Sequence, residues 1–202
     1  MKNSSYKDLT EKILEKTSLN NCVYVLIGGC SRSGKSTLAE KISKSLNEKG
    51  INGIHIPLDY WIAPVENRKK NSTVKERYNY GKIVSDILRL KSGFPINLES
   101  FYDSKTRSLE KRKKTVEFSE GVCVIEGVVA LDIKELINLA EIRVFVDISD
   151  SIRKNRLVDY YLNYKKLDLE TTNNLINDRE LEEVKTIKET RRNSNFLYKS
   201  QD

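Results

Sequence analysis

Short continuous apolar runs alternate along this chain with apolar stripes at helical spacing, the rhythm of an α/β protein. The run CVYVLI at 22–27 is rich in β-formers and too short for a buried helix, so it reads as a central strand. Leu38, Ala39, Ile42 and Leu46 mark one face of a helix that Gly50 closes. Ile54 and Ile56 belong to a second strand, stopped by Pro57, and strand runs return at 122–125 and 142–146. The spacing of Ile133, Leu136 and Ile137 predicts a helix between those two.

Outside this frame, Tyr6, Leu9, Ile13 and Leu14 predict an N-terminal helix over 4–17. Residues 60–78 are polar and basic without a period and read as a loop or lid. Tyr80, Ile83, Ile87 and Leu90 form a helical stripe ending at Gly93. Residues 95–119 read as extended segments of a hairpin insertion, split by the charged string Glu110-Lys-Arg-Lys-Lys114. Residues 151–165 and 174–189 read as helices, and 195–198 as a last short strand. With no repeat and no Gly/Ser-rich or Pro-rich linker, residues 1–202 are expected to form one domain with insertions.

Composition narrows the chemistry by exclusion. A single histidine, His55, rules against a histidine metal cluster or a Ser-His-Asp triad. Cys22, Cys30 and Cys123 show no zinc or CxxC spacing, which favours reduced thiols. The start of the chain lacks the apolar stretch of a secretion signal, and no run approaches the ~20 residues of a membrane span. The expectation is a soluble cytoplasmic protein without a membrane partner. Lys and Arg outnumber Asp and Glu by 36 to 29, a net charge of +7 that suits a phosphorylated ligand.

One motif locates that ligand. Gly29-Cys30-Ser31-Arg32-Ser33-Gly34-Lys35-Ser36, followed by Thr37, is a full G-x-x-x-x-G-K-S phosphate loop between a predicted strand and a predicted helix. The glycines allow a tight turn that aims successive N–H groups at phosphate oxygens. The helix adds its positive N-terminal end. Lys35 would reach the β- and γ-phosphates, and the Ser36 hydroxyl would ligate Mg²⁺. Cys30 is either a reactive thiol at a helix N-terminus or a small filler. No Asn-Lys-x-Asp element of a GTPase is present, since Lys165-Lys-Leu-Asp168 lacks the Asn.

Ligands of open parallel sheets collect beyond the carboxyl ends of the strands. Asp59, Glu126 and Asp147 all fall there, each either functional or a solvated cap. Asp59 would face the γ-phosphate and Glu126 would support Mg²⁺.

Together with the loop, the strings Leu58-Asp-Tyr-Trp61, Tyr102-Asp-Ser-Lys-Thr-Arg107, Val124-Ile-Glu-Gly-Val128 and Val144-Phe-Val-Asp147 occur in one order. The chain thereby resembles the uridine kinase and phosphoribulokinase group of P-loop kinases over residues 22–165. The resemblance implies a three-layer αβα sandwich around a five-stranded parallel sheet, with hairpin and lid insertions. It implies ATP with Mg²⁺, transfer of the γ-phosphoryl to a small-molecule hydroxyl, and Asp59 as the catalytic aspartate beside Lys35. Tyr60 and Tyr102 would border the acceptor within an acceptor-site insertion at about 60–119. The lid would be about 150–168, with Arg153, Arg156, Lys165 and Lys166 as its cations.

Two departures bear on the acceptor. The His that follows Tyr-Asp in uridine kinases is replaced by Arg107, and Arg77-Tyr-Asn-Tyr80 stands where the family has Asn-Phe-Asp-His-Pro. Arg68, Arg77 and Arg107 would suit an acceptor that is already anionic. Arg191 or Arg192 could stack on adenine, or simply face solvent, and Tyr160 and Tyr161 read as packing. The competing readings are a degenerate ATP-binding regulatory protein and a nucleic-acid 5′-end kinase. The basic string at 111–114 has no interleaved aromatics, so nucleic acid is not the expected partner. A homo-oligomer remains open.

Overall fold

The computed structural model describes residues 2–69, 72–103 and 108–200. Its centre is a six-stranded sheet made of β1 (Lys2–Ser4), β2 (Cys22–Gly28), β3 (Gly53–Pro57), β8 (Gly121–Glu126), β9 (Ile142–Asp147) and β10 (Phe196–Lys199). The spatial order is β1-β10-β9-β2-β8-β3, and every pair is parallel. All strands therefore deliver their carboxyl ends to one edge. β2 is the switch point, with the chain crossing to β3 on one side and returning to β9 and β10 on the other.

Alternation along β2 divides the core. Val23, Val25 and Ile27 face α1 (Tyr6–Thr17) and α2 (Lys35–Glu48), where Leu9, Ile13, Leu38 and Ile42 meet them. Tyr24 and Leu26 face the opposite layer, which holds Ile83, Ile87 and Leu90 of α3 (Tyr80–Lys91) and Leu136 of α4 (Lys134–Leu139). Helices on both faces of a parallel sheet make the expected α/β sandwich.

Three expectations shift. The sheet has six strands rather than five, because Lys2–Ser4 pairs with β10 in register Asn3↔Leu197. The N-terminal helix accordingly starts at Tyr6, with Ser5 as its cap in a reciprocal capping box with Asp8. The region 95–119 holds two antiparallel pairs rather than a single hairpin: β4 (Ile96–Leu98) with β7 (Lys114–Val116), and β5 (Phe101–Asp103) with β6 (Ser108–Glu110).

The C-terminal region contains α5 (Asp150–Asp159), α6 (Leu169–Arg179) and α7 (Lys185–Glu189). Two π-helical turns interrupt it, Tyr160–Tyr164 after α5 and Glu180–Val184 between α6 and α7. Among the described residues, no helix is long and apolar enough to cross a membrane.

Candidate active site

The loop after β2 turns where only glycine fits. Gly29 has φ +145°, and a Cβ there would lie 2.6 Å from the Val146 carbonyl oxygen. Gly34, at φ +98°, caps α2. Lys35 follows, 7% exposed, and its Nζ donates to the Cys30 carbonyl at 2.9 Å. The Ser36 hydroxyl donates to Glu126 Oε1 at 2.8 Å.

Glu126 reaches that hydroxyl because the register sets it opposite both Ile27 and Pro57, at the common strand end. His55 Nε2 stands 3.6 Å from the same carboxylate oxygen. Burial pushes the Glu126 carboxyl up, but the facing His55 and the Lys35 ammonium outweigh it and hold it below the ordinary carboxylate range.

Asp59 sits on a 3₁₀ turn, Leu58–Trp61, directly after β3. Leu58 and Trp61 are buried and pin the turn. The Trp61 indole N–H donates to Asp86 Oδ2 at 2.7 Å, and Lys82 Nζ donates to Oδ1 at 2.8 Å. Half-buried Asp59 accepts a hydrogen bond from the Tyr78 hydroxyl at 2.9 Å. Burial and the charge of Glu126 raise its carboxyl, while Tyr78 and Lys35 pull the other way. The Tyr78 hydroxyl is itself pushed up by burial and by Asp59.

These groups border one cavity of about 1500 Å³. Ser31, Arg32, Gly34, Lys35, Ser36 and Thr37 form its phosphate-loop wall, with Asp59 and Glu126 lining it from the carboxyl edge of the sheet. Arg68, Arg77 and Tyr102 line it as well. Arg68 Nε donates to the Ala63 carbonyl at 2.8 Å, and its guanidinium stands 5.8 Å over the Tyr102 ring. Arg77 is held by the Ser72 carbonyl at 3.0 Å. Arg156 reaches the loop, where its Nη1 donates to the Arg32 carbonyl at 3.3 Å.

Other candidates lie elsewhere. Gly29, Cys30 and Ser33 belong to the loop but not to the cavity wall. Burial pushes the Cys30 thiol up to about 11, which leaves a protonated filler rather than a nucleophile. Tyr60 packs edge-on to Phe101 with its hydroxyl hydrogen-bonded by Lys114, away from the wall. Arg153 is 1% exposed and bound to Glu180, so it is a structural ion pair and not a cation offered to the cavity. Lys165 lies against the Tyr160 and Tyr164 rings, and Lys166 is exposed; neither lines the cavity. Asp147 faces Arg191 at 3.8 Å, and Arg192 is exposed. Arg107 lies outside the described residues.

Three features escaped the sequence reading. Tyr78 was legible only as part of the string at 77–80. Tyr160, read as packing, lines the cavity beneath Arg32, whose guanidinium sits 3.6 Å over the ring. Glu183 accepts the Ser31 backbone N–H at 2.8 Å. Only a run of acidic residues at 180–183 marked that region.

The site's oxygen donors suit a hard divalent cation. Ser36 and Glu126 are already 2.8 Å apart, and Mg²⁺ characteristically takes one or two carboxylates with the rest of its shell from water and phosphate. Among the described residues no group of three or more His, Cys, Asp or Glu could hold a metal by itself.

A model of the phosphoribulokinase / uridine kinase family matches residues 25–197. Uridine-cytidine kinase A of Dictyostelium discoideum is 30% identical over 143 residues, covering 70% of this chain and 28% of that protein. Uridine kinase of Staphylococcus carnosus is 25% identical over 143 residues, covering 67% of this chain and 66% of that protein. The chain thus spans less than two thirds of the length of either relative. Among solved structures, one described as a possible uridine kinase from Bacillus stearothermophilus superposes with a TM-score of 0.60 at 24% identity, covering 94% of this chain and 98% of that one. That likeness is one of fold.

Proposed function

This chain belongs to the phosphoribulokinase / uridine kinase family, and on that premise we propose that it transfers the γ-phosphoryl of ATP to a hydroxyl of a small molecule. The observation that carries the reading is the convergence of Lys35, Ser36, Glu126 and Asp59 on one cavity at the sheet's carboxyl edge. The loop amides and Lys35 hold the triphosphate, and Ser36 with Glu126 holds Mg²⁺. Bound there, Mg²⁺ neutralises charge on the phosphate oxygens. Asp59 accepts the acceptor's hydroxyl proton as the new O–P bond forms and the bond to the β–γ bridging oxygen breaks, releasing ADP. Arg156 and Tyr160 close the cavity over the loop through their contacts with Arg32. Residues 1–202 act in this reading as one kinase domain. A switch protein would not need Asp59 beside Lys35, which argues against the degenerate alternative.

The names of the relatives make a pyrimidine nucleoside the default acceptor. Arg68 and Arg77 in the wall around Tyr102 favour an acceptor that carries a phosphate or carboxylate. Six cations against three carboxylates line the cavity. An ATP-consumption screen over matched pairs tests this: a sugar and its phosphate, a polyol and its hydroxy acid, and uridine with cytidine. Turnover with the anionic member of a pair is the expected outcome. Efficient turnover of uridine with none of sugar phosphates or hydroxy acids returns the acceptor to the nucleosides. ATP binding with no acceptor-dependent ATP consumption across the panel favours the degenerate ATP-binding alternative.

A further inference from the structure

Glu183 takes no part in the proposed transfer, yet it sits on the machinery. It is 2% exposed, and its Oε1 accepts the Ser31 N–H at 2.8 Å. A phosphate loop exists to present such N–H groups to anions, so this carboxylate is an anion already seated on it. Ser31 also lines the cavity, between Cys30, whose carbonyl holds Lys35, and Arg32, which Tyr160 covers. The carboxylate is delivered by the π turn Glu180–Val184, a helix distortion that is costly and concentrates at functional sites. Its negative charge reaches across the site, contributing to the raised proton affinities of Cys30, Asp59 and Tyr78.

We propose that Glu183 is a specificity-determining residue of the phosphate loop, a fixed negative charge that limits how tightly the loop holds a nucleoside triphosphate relative to the diphosphate. The inference rests on the nucleotide reading of the loop. A triphosphate brings one more negative charge than a diphosphate to the same cradle, and repulsion grows with that charge. Limiting ground-state binding in this way raises KM without removing any group that acts on the transferring phosphoryl. The alternative is a tether, in which Glu183 only ties the π turn to the loop through its hydrogen bond.

Calorimetric titration of the full chain with ATP and with ADP, Mg²⁺ present and no acceptor, separates the two. Glu183→Gln keeps an acceptor oxygen for Ser31 and removes the charge. The expected result is ATP binding tighter by about threefold or more, with a smaller gain for ADP, so that the ATP-to-ADP affinity ratio rises. Glu183→Ala, which also loses the loop bond, raises the same ratio and keeps the test readable if the Gln variant folds poorly. An unchanged ratio in both variants makes Glu183 a tether and overturns the proposal. Wild-type protein that binds neither nucleotide overturns the nucleotide reading instead.

Discussion

Asp59 is asked to stay ionised in a place that opposes ionisation. Burial and the neighbouring Glu126 carboxylate favour its protonated form, while the Tyr78 hydroxyl and the Lys35 ammonium favour the charged one. A raised carboxyl loses its base form as pH falls, and does so at higher pH than an ordinary aspartate. Removing Tyr78's hydrogen bond deepens that effect. Tyr78→Phe is therefore expected to move the acid limb of the kcat profile to higher pH, with ATP affinity unchanged. An acid limb that stays put, or moves down, removes Tyr78 from the positioning of the base. The two central residues separate by the same logic. Asp59→Asn should lower kcat by about 10²–10⁴-fold and leave ATP binding near wild type. Lys35→Ala should lower kcat by about 10²-fold or more and also weaken ATP binding severely; equal losses of ATP affinity in both would contradict the roles. Lys35, Ser36 and Asp59 could be picked out from the chain because each is tied to a local string with a defined mechanism. Tyr78 and Glu183 could not, since their partners lie 19 and 152 residues away and nothing in their immediate sequence points there.

At the scale of elements, the same contrast separates strands that bury side chains from strands that only pair. β2 and β8 are continuous apolar runs and β9 is one broken only by Arg143, and all three were visible as strands. β1 is Lys2-Asn-Ser4, whose hydrogen bonding to β10 at the sheet edge leaves no hydrophobic trace. Arg153 shows the reverse error: its helix was expected, but helical spacing does not reveal that the Glu180 carboxylate buries its guanidinium. The 3₁₀ turn that presents Asp59 depends on an element far from it, since Asp86 on α3 accepts the Trp61 indole N–H. Asp86→Ala leaves a buried donor without its acceptor, at a cost of about 1–3 kcal/mol. Urea unfolding should report that loss, and acceptor turnover should fall with it because the turn is released. Full activity at reduced stability would show that Leu58 and Trp61 packing alone fixes Asp59.

The molecule is stabilised by unequal cores. Two large clusters fill the two faces of the sheet, and a third, formed by Leu157, Tyr161 and Ile176, joins α5 to α6 apart from both. The helices carried by that small core touch the phosphate loop through Arg156 and Tyr160, both at Arg32. α7 and the π turn before it belong elsewhere, since Ile187 and Val184 pack into a sheet-face core. A segment with few apolar contacts to the main body can open below the free energy of global unfolding. Tyr161 is 1% exposed, and truncating a buried aromatic costs about 3–5 kcal/mol. In Tyr161→Ala that loss falls on the α5–α6 unit. Hydrogen exchange should therefore accelerate across 150–179 while the strands keep their protection and the main thermal transition moves little. Ile42→Ala, in a sheet-face core, should instead lower that transition outright. A Tyr161→Ala protein whose transition falls as far as that of Ile42→Ala would mean that α5 and α6 unfold only with the sheet. The cavity over the phosphate loop would then have rigid walls rather than a cover that opens by itself.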